Sequence, residues 1–294
     1  MKIVENRKKF FVVSLIVIIA GIISMIINVS TGKSALNFDI EFTGGTSMEI
    51  DIGQEFNNED IAEIIDNVTG QKAPQIQKII GTNSVSIKMQ SIDAEQRNEI
   101  INSLKEKYGI DDENIINVLD VSGTISGEMQ RTALLAVFVS CVAMLIYISI
   151  RFRDIRIGTS SIIALLHDVF IVISFYAIMR IPINNSFIAA ILTVLGYSIN
   201  ATIVIFDRIR ENANKFKKKE VIVRINKSIT QTIGRSINTS LTTLFTIGAI
   251  YILGVQSIKE FALPLVIGII SGAYSSVFIS GSIWYMLLPN NEKN

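Results

Sequence analysis

Six stretches of the chain are apolar on every side of a would-be helix. Residues 10–27 hold no charge, and further runs follow at 132–150, 157–179, 186–206, 237–255 and 261–287. A bilayer core takes about 20 apolar residues in a helix, so each run is read as a membrane span. Between the first and second runs the periodicity changes. Residues 46–52 alternate Met48, Ile50 and Ile52 with Ser47, Glu49 and Asp51, which is the period of a strand. Residues 58–68 place Ile61, Ile64 and Ile65 at helical spacing behind Asn57 and Asn58, either of which can cap a helix. Residues 75–80 and 84–89 read as strands joined by a turn at Gly81-Thr82-Asn83. A second helix, 93–108, turns Ile100, Ile101 and Leu104 inward, and 113–121 is a last strand. The order βαββαβ is that of a split βαβ, ferredoxin-like module. The expected fold class is a polytopic α-helical membrane protein with six transmembrane helices and a small α+β ferredoxin-like extracytoplasmic domain.

Charge sharpens this division. The formal net charge is only +1, yet residues 31–131 carry 8 Lys/Arg against 18 Asp/Glu, a net of −10, and the rest of the chain balances at +11. Charged residues are 18% of the chain and mean hydropathy is +0.46, which excludes a disordered chain, a disulfide scaffold and a simple cytosolic enzyme. Basic residues gather before the first run, at Arg151, Arg153 and Arg156, and between Arg208 and Arg235, while Arg180 and Lys259 stand alone in the opposite loops. The positive-inside rule then puts both termini in the cytoplasm and the acidic domain outside. Arg7-Lys8-Lys9 resembles the flank of a secretory signal. The apolar run exceeds the usual ~7–15 residues, however, and Asn28-Val29-Ser30 is a poor cleavage site, so a retained helix is expected. The resulting layout is 1–9 cytoplasmic, 10–29 first helix, 30–131 outer domain, 132–288 helices two to six with a basic loop at 207–236, and 289–294 cytoplasmic. The lysine run 217–219 serves topology and is able to touch anionic lipid.

Candidate chemistry is sparse. A single cysteine, Cys141, allows no intramolecular disulfide, and a single histidine, His167, allows no multi-histidine metal centre. The outer domain has no Ser/His pair, metal cluster or phosphate loop, and reads as a binding or coupling domain rather than an enzyme. Ionisable groups inside spans are costly and usually face a bundle interior or a water path. The pair His167-Asp168 lies midway along the third run, and Asp207 closes the fourth just before Arg208 and Arg210. Arg235 precedes the fifth run and shares a helical face with Thr239, Thr242 and Thr246, as Gly196, Asn200, Val204 and Asp207 share one on the fourth. Interfacial placement of Asp207 and snorkelling of Arg235 remain as plainer readings. Gly268, Gly272, Ser276 and Ser280 recur every fourth residue, the pattern of a close helix contact.

Several segments resemble a known family. The strongest is Gly196-Tyr-Ser-Ile-Asn-Ala-Thr-Ile-Val-Ile-Phe-Asp-Arg-Ile-Arg-Glu-Asn212. Leu36-Asn-Phe-Asp-Ile-Glu-Phe-Thr-Gly-Gly-Thr46 holds the motif residues Glu41, Gly44 and Gly45. Ala-Leu-Leu-His-Asp-Val ends at Val169, Tyr-Ile-Ser-Ile-Arg-Phe ends at Phe152, Arg235 opens Arg-Ser-Ile-Asn-Thr-Ser-Leu-Thr-Thr, and Gly272 opens Gly-Ala-Tyr-Ser-Ser. In this order they resemble SecF, the smaller membrane subunit of the SecDF protein-export complex in the RND superfamily. The resemblance implies a SecD partner, association with the SecYEG channel and with YajC- or YidC-type accessory proteins, and contact with exported unfolded polypeptide and membrane lipid. It implies a multi-pass protein of the bacterial inner or plasma membrane, with no nucleic acid and no cofactor or metal beyond a proton or sodium gradient as energy source.

Two departures bear on mechanism. The family has an aspartate where this chain has Ala201; that aspartate is implicated in the proton path, together with an arginine aligning with Arg235 and an acid of SecD. Asn200, Thr202 and Ser198 remain as polar groups, and Arg235 is expected to pair with Asp207, with a SecD carboxylate or with water. Asp39 and Glu41 stand where the family commonly has Gly and Asp. Half of an RND-type small-molecule exporter and a non-conducting structural subunit are the alternative functions.

Overall fold

The alternating residues after the first apolar run form the centre of an antiparallel sheet. In the computed structural model, which describes residues 1–71, 75–79, 82–216 and 220–290, the chain divides into two units, 38–134 and 1–37 with 135–294. The first unit contains α2 (Ile40–Thr43), β1 (Gly45–Asp51), α3 (Asn58–Thr69), β2 (Gln75–Lys78), β3 (Ser84–Met89), α4 (Ala94–Tyr108) and β4 (Ile115–Val121). The strand order is β2-β3-β1-β4, with Met48 opposite Ile87 on one side and Val118 on the other. Met48, Ile50, Val85 and Ile87 are fully buried against Ile61 and Ile65 of α3 and Ile100 and Leu104 of α4. Each such side chain contributes roughly 1.5–3 kcal/mol of burial. Asn57 caps α3 by accepting from the Glu59 amide, and Asp93 forms a capping box with Gln96 at the start of α4. Gly70 and Gly109 end those helices in the left-handed conformation. Ile80 and Gly81, expected at a strand end and turn, lie outside the described residues, as do Lys217, Lys218 and Lys219.

The second unit is helical: α1 (Arg7–Ser30), the later part of α5 (Gly123–Phe152), α6 (Ile155–Met179), α7 (Asn185–Glu211), α8 (Val221–Leu253) and α9 (Gln256–Tyr274). α9 continues through a π-helical turn, Ser275–Ser280, into α10 (Gly281–Leu287). Among the described residues, six helices are long and apolar enough to cross a membrane. α6, α7 and α9 form the interior and bury most of their inward positions, whereas α1, α5 and α8 leave most apolar side chains exposed. α8 starts well before the apolar run at 237. Its early turns are helical because Val221, Ile225 and Ile229 form one buried stripe, while Arg224 and Lys227 occupy other faces. Ahead of α1, Ile3 and Val4 are buried, and both amides donate to Asn226 Oδ1 of α8 at 3.0 and 3.1 Å.

Candidate functional site

Asp168 sits mid-way along α6 with no exposed surface. Among the described residues it is the one buried carboxylate of the helical unit. An ionised carboxyl only accepts hydrogen bonds, so its neighbours must donate. Ser198 of α7 donates to Oδ2 at 2.7 Å and Ser275 at 2.8 Å; Ser271 of α9 donates to Oδ1 at 2.7 Å. The fourth contact is Nδ1 of His167, 3.0 Å from Oδ1, and Nε2 of the same ring lies 2.7 Å from Ser14 Oγ on α1. Four helical segments thus meet at one acidic side chain.

Local sequence explains how the donors arrive. Ser271 of α9 and Ser275, the first residue of the π-helical turn that continues it, are one turn apart and both donate to Asp168. Gly268 and Gly272 let α9 approach α7, because a Cβ at 272 would stand 2.9 Å from the Ser198 side chain and one at 268 only 2.3 Å from Val194. The π-helical turn begins at Ser275, and such turns often mark functional positions in helices. The adjoining Ser276 is also buried and bonds to Thr202 Oγ1 at 2.9 Å. The small-residue strip therefore lies at the α7–α9 contact, and Thr202 belongs to that contact.

A second polar region lies between α7 and α8. Tyr197, Asn200, Ala201, Arg235, Ser236 and Thr239 border a crevice of about 80 Å³, which adjoins a cavity of about 400 Å³ beside Asp207. Asn200 and Arg235 are exposed, and among the described residues neither has a hydrogen bond or ion pair. The expected pairing of Arg235 with Asp207 is not formed. Asp207 is held by Arg210 at 3.1 Å and Arg151 at 3.5 Å, the first of these one turn away on the same helix. Thr242 and Thr246 spend their hydroxyls on carbonyls of their own helix.

In the sheet unit, Asp39 caps α2 through the Ile40 amide and pairs with Lys88 at 2.5 Å. Gly44 and Gly45 then redirect the backbone into β1 with φ of 76° and 146°. At Gly45 a side chain is excluded twice over, since a Cβ would stand 2.4 Å from the Met89 carbonyl oxygen. Glu41 lies within the single turn of α2. Ile40, Gly44, Gly45, Lys88 and Met89 border an open cavity of about 890 Å³ that also includes Gln71 and Gln90.

The structure thus brings His167 and Asp168 together with each other, and Asn200, Ala201 and Arg235 together in a separate crevice. Sequence reasoning missed Ser14, Ser271 and Ser275. The spacing of the last two beside Gly272 was the available signal.

Comparison with known proteins gives a consistent result. The profile of the family described as Protein export membrane protein SecD/SecF, C-terminal, matches residues 100–290. Protein translocase subunit SecF of Acidaminococcus fermentans is 35% identical over 96% of this chain and 95% of its own. SecF of Sebaldella termitidis is 34% identical over 100% of this chain and 96% of its own. Protein translocase subunit SecDF of Bacillus subtilis is 36% identical over 95% of this chain, which spans 37% of that protein. The crystal structure of SecDF from Thermus thermophilus, a translocon-associated membrane protein, superimposes with a TM-score of 0.82 at 29% identity, covering 96% of this chain and 38% of that one. The chain is a multi-pass membrane protein and belongs to the SecF family of protein-export membrane proteins.

Proposed function

We propose that this chain is the SecF-type half of a Sec translocase accessory complex, acting with a SecD-type partner to draw exported polypeptide outward at the expense of a transmembrane proton or sodium gradient. The observation that carries the reading is the α7–α8 crevice. Arg235 is a guanidinium on the flank of a spanning helix, beside Asn200 and Ala201, with no ion pair among the described residues. A cation at that depth is costly without compensation. The exposed apolar side chains of α8, among them Ile237, Leu241 and Phe245, give the same helix the kind of surface another helical subunit covers. The relatives in which the equivalent of this chain is fused into SecDF support SecD as that subunit.

The other features fit the same picture. The basic loops support cytoplasmic termini in a bacterial plasma membrane, with the acidic unit outside. The strand order β2-β3-β1-β4 with α3 and α4 on one face supports a ferredoxin-like module suited to coupling or cargo contact. SecYEG and YajC- or YidC-type proteins are the further partners, and no catalytic step on a small molecule is assigned. Ala201 favours one second reading, a subunit that supports its partner without itself conducting ions, because a methyl group binds neither proton nor cation.

Depletion of the protein in its host, with pulse-chase of a secreted precursor, tests the proposal. Slow maturation that wild type restores and Arg235→Ala does not restore supports the coupled subunit. Full rescue by Arg235→Ala supports the non-conducting one, and normal maturation with increased drug sensitivity would point to an exporter.

A further inference from the structure

The crevice at Arg235 leaves the buried cluster around Asp168 unexplained. A bare carboxylate in a bundle interior is costly unless neutralised or fully hydrogen-bonded. Here three serine hydroxyls and one imidazole N–H supply four donors but no positive charge. The charged side chains of the helices packed around it stand near the helix ends: Arg7, Lys8 and Lys9 on α1, Arg156 on α6, Asp207, Arg208, Arg210 and Glu211 on α7, and Lys259 and Glu260 on α9; Tyr176 of α6 and Tyr197 of α7 are the other titratable groups along α6 and α7. Tyr274, whose ring lies 6.3 Å from that of His167, donates its hydroxyl to the Phe10 carbonyl at 2.8 Å. The imidazole of His167 is therefore the one group at the cluster able to bring a compensating charge.

We propose that His167 and Asp168 bind a single proton as one unit, and that its arrival reverses the hydrogen bond to Ser14 on α1. Hydrogen-bond roles assign the two states. Without the proton, Nδ1–H donates to Asp168 and bare Nε2 accepts the Ser14 hydroxyl. With it, Nε2 carries the added hydrogen and donates to Ser14 Oγ, whose own hydrogen turns to the Phe10 carbonyl 3.4 Å away. No bond other than N–H forms, and the pair becomes an imidazolium–carboxylate of zero net charge. His167 and Ser14 border a cavity of about 330 Å³ between α1, α6 and α9, while Asp168 is sealed behind the ring, so the proton arrives at Nε2. The switch reports to α1 because Ser14 is the polar contact that this helix makes with the pair.

The site can be read without any export assay, so its failure is distinct from failure of the translocase reading. His167 is the chain's one histidine, and 15N-histidine labelling of the full chain in lipid nanodiscs gives its two ring nitrogens directly. The expected spectrum is a single Nδ1–H tautomer on the alkaline side of one transition and a doubly protonated ring on its acid side. Asp168→Asn should unlock the tautomer and lower the ring's proton affinity about tenfold or more. Ser275→Ala, a milder change that strips one donor from the carboxylate, should raise that affinity. Ser14→Ala should keep the transition while the protection of α1 amides, taken relative to intrinsic exchange at each pH, no longer changes across it. A ring that never gains the second proton, or one that titrates identically in Asp168→Asn and Ser275→Ala, overturns the proposal. If Asp168→Asn fails to fold, Ser275→Ala decides it alone.

Discussion

Gly272 of α9 faces Ser198 of α7 so closely that a methyl group on the glycine would stand 2.9 Å from both Cβ and Oγ of the serine. Ser198 in turn donates to Asp168, so the same contact sets the helix spacing and one wall of the acidic cluster. Gly272→Val should force the helices apart at a cost of about 1–3 kcal/mol, with about 1 kcal/mol more for the stretched hydrogen bond. Thermal unfolding in detergent should show a lower Tm. Gly248→Ala is the control, because a Cβ there meets nothing within 4 Å. Equal melting of the two variants would mean that α7 and α9 are not packed in this way.

Arg235 predicts a split between stability and function. Its side chain is exposed and, among the described residues, holds no partner, so Arg235→Ala should change the melting of the isolated chain by no more than about 0.5 kcal/mol. Precursor maturation should nevertheless slow severalfold, and co-purification of SecD should fall. A variant that destabilises the isolated chain strongly would instead show that Arg235 is an internal structural residue.

Ala201 borders the same crevice as Arg235, so Ala201→Asp places an acid where a guanidinium is within reach. The new carboxylate is expected to pair with Arg235 and to change how export responds to pH. Inverted membrane vesicles assayed for precursor translocation across roughly pH 6–9 read this directly, since the range brackets neutral operation. Identical pH profiles for the native chain and the variant would make position 201 idle.

Much of this architecture is legible in the chain, and the exceptions have physical causes. Each apolar run lies largely within one continuous helical stretch, the sixth passing through the π-helical turn, because lipid leaves no water to satisfy backbone groups outside a helix. The start of α8 is hidden from hydropathy, since Arg224, Asn226 and Lys227 dilute an apolar stripe only one residue wide. His167-Asp168 stands out as an ionisable pair in mid-span, but its donors lie 30, 103 and 107 residues away, and nothing local announces that they converge. The Arg235–Asp207 pairing fails for a related reason. Arg210, three residues along the same helix, reaches Asp207 without any tertiary arrangement.

Asp39 combines a helix cap with an ion pair, and two substitutions separate them. Its carboxylate is 5% exposed and Lys88 is 19% exposed, so the pair is partly shielded from water. Asp39→Asn keeps an oxygen for the Ile40 amide and loses only the charge, at a cost of about 1–3 kcal/mol. Asp39→Ala also loses the cap, adding about 1 kcal/mol. Hydrogen exchange of β1 amides in the full chain should accelerate in that order. Equal protection in the two variants would show that the cap contributes nothing.

Tyr108 gives the sheet unit an alkaline limit. Its hydroxyl is buried without a hydrogen-bond partner among the described residues. Burial pushes its ionisation above the usual tyrosine range, with the Lys107 ammonium opposing and the Asp60 carboxylate assisting. The folded state therefore holds this proton more tightly than the unfolded one. The associated stability is fully present below the unfolded value of about 10 and is lost as pH rises from there through the folded value. Tyr108→Phe removes both the unpartnered hydroxyl and the ionisation. At neutral pH it should be neutral or stabilising by up to about 1 kcal/mol. Its melting temperature should pull further ahead of the native chain as pH climbs past about 10. A variant that melts lower than the native chain at neutral pH would mean that the Tyr108 hydroxyl has a partner in solution, most simply an ordered water.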